Sequence, residues 1–171
     1  MRRLIPTLFV VAATGCASTG AVPRPFPSPG DWNSPPAEAP NPTATATAAR
    51  DGYAIAGTAL SFRGVAYRNG GSDPSGFDCS GLVWYVFGQH GVRVPRTVDE
   101  QYRTGSPIDL SGVRSGDLVF FNTKGAGATH VGISIGGDEF VHAPNSTGEV
   151  RVERLAGNYW LARFVGARRM L

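Results

Sequence analysis

The stretch "SGFDCSGLVWYVF", residues 75–87, places a single cysteine between an aspartate and a Ser-Gly pair, directly before an apolar run. Asp78 is a residue type that caps helices, which predicts a helix with Cys79 in its first turn. Unpaired backbone N–H groups and the helix dipole stabilise a thiolate there. Given a neighbouring base, such a thiolate attacks acyl carbons. The alternative is an inert cysteine that packs the helix against a sheet.

The remaining elements are predicted from periodicity. Apolar residues at helical spacing in "RDGYAIAGTALSF" (50–62) predict a first helix, and "TVDEQYRTG" (97–105) predicts a short third one. Short β-rich runs follow, separated by Gly, Pro, Asn and Asp, and are expected to form neighbouring antiparallel strands: "GDLVFFN", "THVGISIG", "EFVHAP", "EVRVERL" and "ARFVGARRM". Helices first and strands afterwards predict an α+β domain.

Two histidines lie on consecutive predicted strands. His130 opens "HVGISI" and His142 lies in "FVHAP", so a hairpin can place the rings side by side, in a register that the sequence leaves open. We expect His130 to take the thiol proton and His142 to orient His130. The alternatives are core histidines bonded to backbone, or a Cys/His zinc site, which lacks an obvious third good ligand.

The composition restricts the class of protein. With 171 residues, 42% of them hydrophobic and 17% charged, the chain suits one globular domain plus a less ordered part. The net charge is +3 and the isoelectric point is near 9.2. Because the basic residues are scattered along the chain, nucleic-acid binding is not expected.

The N-terminus, "MRRLIPTLFVVAATGC", has two arginines, an apolar stretch and small residues before Cys16. It resembles a bacterial lipobox, which predicts a signal peptide over 1–15 and lipidation of Cys16; an ordinary secretory signal is the alternative. Ala17 favours the outer membrane, facing the periplasm. Eight of the thirteen prolines fall in residues 17–49, so residues 16–49 are predicted to be a tether and residues 50–171 the folded domain.

Five segments together resemble the NlpC/P60 family of cell-wall peptidases: "GVAYRNGGSDPSGFDCSGLVWYVF", "VPRTVDEQ", "SGDLVFF", "THVGISIGGDEFVHA" and "FVGARRM". The resemblance implies a papain-like fold with a nucleophile-bearing helix packed on an antiparallel sheet. It makes Cys79 the nucleophile, His130 the base and His142 the orienting residue. It also assigns the Tyr67 hydroxyl to the oxyanion.

Three further residues are predicted to contribute to substrate binding. Ser80 and Asp78 match the family's "DCSG", with Ser80 expected to line the groove. Asp78 either pairs with Arg96 to fix the loop or only caps the helix. Arg96 alternatively faces a substrate carboxylate.

The resulting expectation is an exported, membrane-anchored cysteine endopeptidase that hydrolyses peptidoglycan stem peptides next to diaminopimelate, without a metal or organic cofactor. The γ-D-glutamyl-diaminopimelate bond is slightly favoured over the D-alanyl cross-link. An amidase or acyltransferase, and an inactive wall-binding module, are the alternatives. The sequence does not identify a regulatory partner.

Overall fold

A computed structural model describes residues 42–145 and 148–171. Its helices are α1 (Pro42–Ser61), α2 (Cys79–Gln89), α3 (Val98–Arg103) and α4 (Asn158–Leu161), with a 3-10 turn at Leu110–Gly112. None of the helices in these two ranges is both long and apolar enough to cross a membrane. Helix α1 begins eight residues before the predicted start of the domain, inside the stretch predicted as tether. Proline is well tolerated in the first turn of a helix, and the alanines that follow favour helix.

The strands form one large sheet and one small hairpin. The hairpin pairs β1 (Ser72–Asp73) with β2 (Gly76–Phe77). The other six strands are β3 (Ser106–Ile108), β4 (Leu118–Phe121), β5 (His130–Gly136), β6 (Glu139–His142), β7 (Arg151–Arg154) and β8 (Phe164–Arg169). They are antiparallel, in the order β3-β8-β4-β5-β6-β7. The fold is therefore α+β, as predicted.

Helices α1 and α2 pack against each other, and both contact β5 of the sheet. The buried face of α2 carries Leu82, Val83, Val86 and Phe87, all fully inaccessible, while Trp84 on the opposite face is 45% exposed. This asymmetry comes from helical spacing, since residues three and four apart share one face. Burial of these side chains holds the N-terminal end of α2 at a fixed position against the sheet.

All five predicted strands are present, but three short strands and α4 were not predicted. Strands β1 and β2 have two residues each, and β3 has three, too few for an alternation of apolar and polar residues. Proline at position 107 also argues against a strand from sequence alone, and β3 accommodates it because it lies at the edge of the sheet.

Candidate active site

Cys79 is the first residue of α2, and Asp78 caps this helix, as predicted. The carboxylate of Asp78 accepts the backbone N–H of Gly81 at 2.7 Å. However, the expected stabilised thiolate is wrong for this structure. Burial, followed by the charge of Asp78, raises the pKa of the Cys79 thiol to about 11, against the weaker effect of hydrogen bonds from the backbone N–H groups of Val131, Ser80 and Cys79 itself. The resting side chain of Cys79 is therefore a neutral thiol.

Arg96 forms hydrogen bonds with three residues around the start of α2. Its guanidinium donates two hydrogen bonds to the carboxylate of Asp78, at 3.0 and 2.8 Å. It also donates to Oγ of Ser80 at 2.9 Å and to the carbonyl of Gly71 at 3.2 Å. Burial of Asp78 opposes its ionisation, but the hydrogen bonds from Arg96 and Gly81 outweigh burial and lower its pKa. Asp78 therefore both caps the helix and pairs with Arg96.

The three residues predicted to bind substrate are thus bonded to one another. Ser80 is only 6% exposed and its hydroxyl bonds to Arg96. None of Ser80, Asp78 and Arg96 is among the residues that line the cavity next to Cys79. These contacts fix the start of α2 in place, and the substrate-binding role of the three residues stays a prediction.

His130 and His142 come together across β5 and β6. Nε2 of His130 lies 2.7 Å from Nδ1 of His142, and both residues are buried. This contact leaves Nδ1 as the nitrogen of His130 that can accept the thiol proton. For that, neutral His130 must carry its proton on Nε2 and donate it to Nδ1 of His142. His142 then carries its own proton on Nε2, which is buried and has no hydrogen-bond partner in the described part of the chain.

Both imidazoles are neutral at physiological pH. Burial lowers the pKa of His130 to about 4. For His142 burial acts first, and the charges of His130 and Arg151 add to it, which lowers the pKa to about 2. Arg151 lies on β7, where it is the register partner of His142. His130 is therefore an uncharged imidazole hydrogen-bonded to a second uncharged imidazole.

A cavity of about 780 Å³ adjoins Cys79. Tyr67, Cys79 and His130 all line it, as does the segment that carries α4. Burial raises the pKa of Tyr67, and the charges of Cys79 and Asp78 act in the same direction, so its hydroxyl keeps its proton and can donate a hydrogen bond. Of the predicted site residues, Cys16 lies outside the described ranges.

The sequence interpretation missed two residues of the site. Trp160 on α4 lines the cavity and contacts both histidine rings. Gln101 on α3 is fully buried, and its side-chain amide donates to the carbonyls of Ser80 and Pro95 at 3.1 and 2.8 Å, which ties α3 to the start of α2. Gln101 could have been recognised from the sequence, because it ends "VPRTVDEQ", one of the segments that resemble the family. Trp160 could not have been.

A helix-borne thiol, a tyrosine and an imidazole backed by a second imidazole, with the first three groups on one cavity, are typical of thiol-dependent acyl-transfer sites. The chain belongs to the NlpC/P60 family, whose model matches residues 64–169. In Escherichia coli K12, murein DD-endopeptidase MepH is 45% identical over 113 residues, which are 63% of this chain and 42% of that protein. In Bacillus subtilis 168, a gamma-DL-glutamyl hydrolase is 34% identical over 120 residues, 68% of this chain and 29% of that protein.

A solved structure confirms the fold. An NlpC/P60 family protein from Bacillus cereus ATCC 10987 superimposes with a TM-score of 0.66 and 32% identity, over 70% of this chain and 40% of that one. The chain spans less than half the length of each of the two curated relatives.

Proposed function

We propose that this protein is a cysteine peptidase that hydrolyses amide bonds in the stem peptides of peptidoglycan. The observation that carries the proposal is the convergence of Cys79, Tyr67 and His130 on one cavity, with His142 bonded to the far nitrogen of His130. Family membership and the name of MepH support peptidoglycan as the substrate. The complete set of reacting groups argues against an inactive wall-binding module.

The reaction follows from the protonation states. As Sγ of Cys79 bonds to the acyl carbon, the thiol proton passes to Nδ1 of His130. The negative charge that develops on the carbonyl oxygen is met by the Tyr67 hydroxyl and by backbone N–H groups at the start of α2, and one such donor is typically worth about 3 to 4 kcal/mol of barrier. His130 then protonates the leaving amine as the C–N bond breaks. Water, deprotonated by His130, hydrolyses the thioester and releases the acid and the thiol.

For the scissile bond, we propose the cross-link between D-alanine and the D-centre of diaminopimelate. The sequence alone slightly favoured the γ-D-glutamyl-diaminopimelate bond, which joins a D- to an L-centre. The names of the two relatives distinguish these stereochemistries: the relative at 45% identity is a DD-endopeptidase, and the one at 34% is a DL-hydrolase. The greater identity supports the DD bond.

Two purified muropeptides test this choice. The full chain is expected to convert a cross-linked tetrapeptide dimer into two intact monomers and to leave the uncross-linked tetrapeptide whole, as followed by mass spectrometry. Release of a diaminopimelyl-alanine fragment from the monomer would instead identify the γ-D-glutamyl bond. Cleavage only between the glycan and L-alanine would contradict both assignments and make the protein an amidase.

We further propose that Cys16 carries a lipid that anchors the protein in the outer membrane, with the residues between Cys16 and α1 as the tether. The support is the pattern "ATGC" after an apolar stretch, followed by the proline-rich segment. Cys16→Ala is expected to abolish incorporation of labelled fatty acid and to release the chain from the membrane fraction, because one anchor would be lost. A parent chain that takes up no lipid label would contradict the anchor and leave the catalytic proposal untouched.

A further inference from the structure

Trp160 covers the imidazole pair from the side of α4. Its ring stacks on His130, with centroids 5.5 Å apart and planes inclined by 24°. The same indole meets His142 edge to face, at 4.9 Å and 86°. Trp160 itself is 8% exposed, so it separates much of the pair from solvent while it lines the cavity.

The indole is in turn held by a cluster of aromatic rings. It packs edge to face against Phe121, at 4.7 Å, and against Phe140, at 5.3 Å. Both phenylalanines are fully buried in the sheet. Contacts of this kind favour particular ring orientations, so the position of Trp160 is set by the core rather than by substrate.

We propose that Trp160 is a positioning residue for catalysis, which holds His130 in one ring orientation against His142 and keeps water away from the pair. The chemistry requires this, because His130 must present Nδ1 to the thiol while Nε2 stays bonded to His142. A 180° flip about the Cβ–Cγ bond would place Cδ2 and Cε1 where Nδ1 and Nε2 now lie, which would turn a carbon toward the thiol and break the 2.7 Å contact. The flat indole on one face and His142 at the edge restrict that flip. The inference rests on the proposed hydrolase activity for its kinetic consequence only.

The charged and titratable groups around His130 come from several elements. Cys79 is on α2, His142 on β6, and Arg151 on β7 acts through His142. Tyr67, Lys124, Glu153 and Arg154 share the cavity with His130. Since Trp160 is uncharged, its removal changes the hydration of His130 and adds or deletes no charge.

The test compares Trp160→Leu and Trp160→Phe with Trp84→Leu. Trp84 is exposed on the outer face of α2 and does not line the cavity, so this variant makes the same chemical change away from the pair. The pKa of His130 is read from NMR spectra of histidine-labelled protein, assigned with His90→Gln. The acid limb of kcat/KM on cross-linked muropeptides is measured in parallel, and thermal unfolding confirms that each variant is folded.

Trp160→Leu is expected to raise the pKa of His130 by at least about one pH unit, because water reaches the ring. The acid limb should move with it, and kcat should fall about 10-fold or more with little change in KM. Trp160→Phe, which restores a flat ring, should bring both the pKa of His130 and kcat most of the way back to the parent's values. Trp84→Leu should match the parent in both. If Trp160→Leu does not fold, Trp160→Met is held to the same criteria.

An unchanged pKa of His130 in a folded variant, or a change confined to KM, would overturn the proposal and leave Trp160 as a wall of the cavity. The NMR measurement needs no substrate. A shifted pKa in a protein that cleaves no peptidoglycan would therefore refute the proposed function while supporting the positioning role.

Discussion

Replacing Cys79 with serine is expected to lower the rate of muropeptide hydrolysis by more than about 1,000-fold, because an alcohol is a much weaker nucleophile than a thiol. Serine is nearly isosteric, so the hydrogen bonds around Asp78 and the temperature of unfolding should be preserved. Hydrolysis is measured on cross-linked muropeptides with the full chain.

Thiol alkylation provides the matching control for this variant. In protein unfolded with urea, iodoacetamide should label the tryptic peptide that contains Cys79 in the parent and leave the corresponding serine peptide unmodified. A Cys79→Ser protein that retains activity within a few-fold of the parent would show that the thiol is not the nucleophile.

Gly81→Ala is expected to cause the largest loss of stability. A Cβ at this position would overlap the backbone carbonyl oxygen of Gly71 and lie 3.0 Å from Oδ1 of Asp78. Backbone must move to relieve this overlap, at a cost of about 2 kcal/mol or more in the free energy of unfolding. Because Cys79 is two residues away, the displacement should also reduce hydrolysis, by about 100-fold for a shift near 1 Å.

Gly88→Ala is the matched control for Gly81→Ala. Gly88 lies on the same helix, and a Cβ there meets no atom within 4 Å. It should stabilise the protein by roughly 0.5 to 1 kcal/mol, since alanine favours helix over glycine. Urea unfolding monitored by circular dichroism measures both variants. Equal stability of Gly81→Ala and the parent would mean that α2 and the Gly71 loop separate without cost.

The sequence was sufficient for much of the fold because its signals were local. Short β-rich runs between turn-forming residues predicted β4 to β8, and Asp78 before an apolar run predicted the start of α2. The pairing of His130 with His142 depended on register, which the structure supplies through Ile133 opposite Val141. Whether Asp78 caps α2 or pairs with Arg96 could be decided only from the structure, in which it does both.

The parts that sequence did not predict depend on contacts between distant segments. The helix dipole at Cys79 is visible locally, but the opposing burial of its thiol arises from packing against the sheet. Trp160 lies thirty residues beyond His130 in a four-residue helix, which is too short to show periodicity. The contact of Trp160 with the two histidine rings is visible only once the chain is folded.

The position of β8 makes folding of the sheet depend on a segment far along the chain. Strand β8 lies between β3 and β4 in the sheet, although it follows every other described strand in the chain. A nascent chain that ends before Phe164 cannot pair β3, and it leaves one edge of β4 open. Non-local pairing of this kind must await both of its segments. Until residues 164–169 have been synthesised, the sheet that carries His130 and His142 is incomplete, so assembly of the candidate site waits for β8.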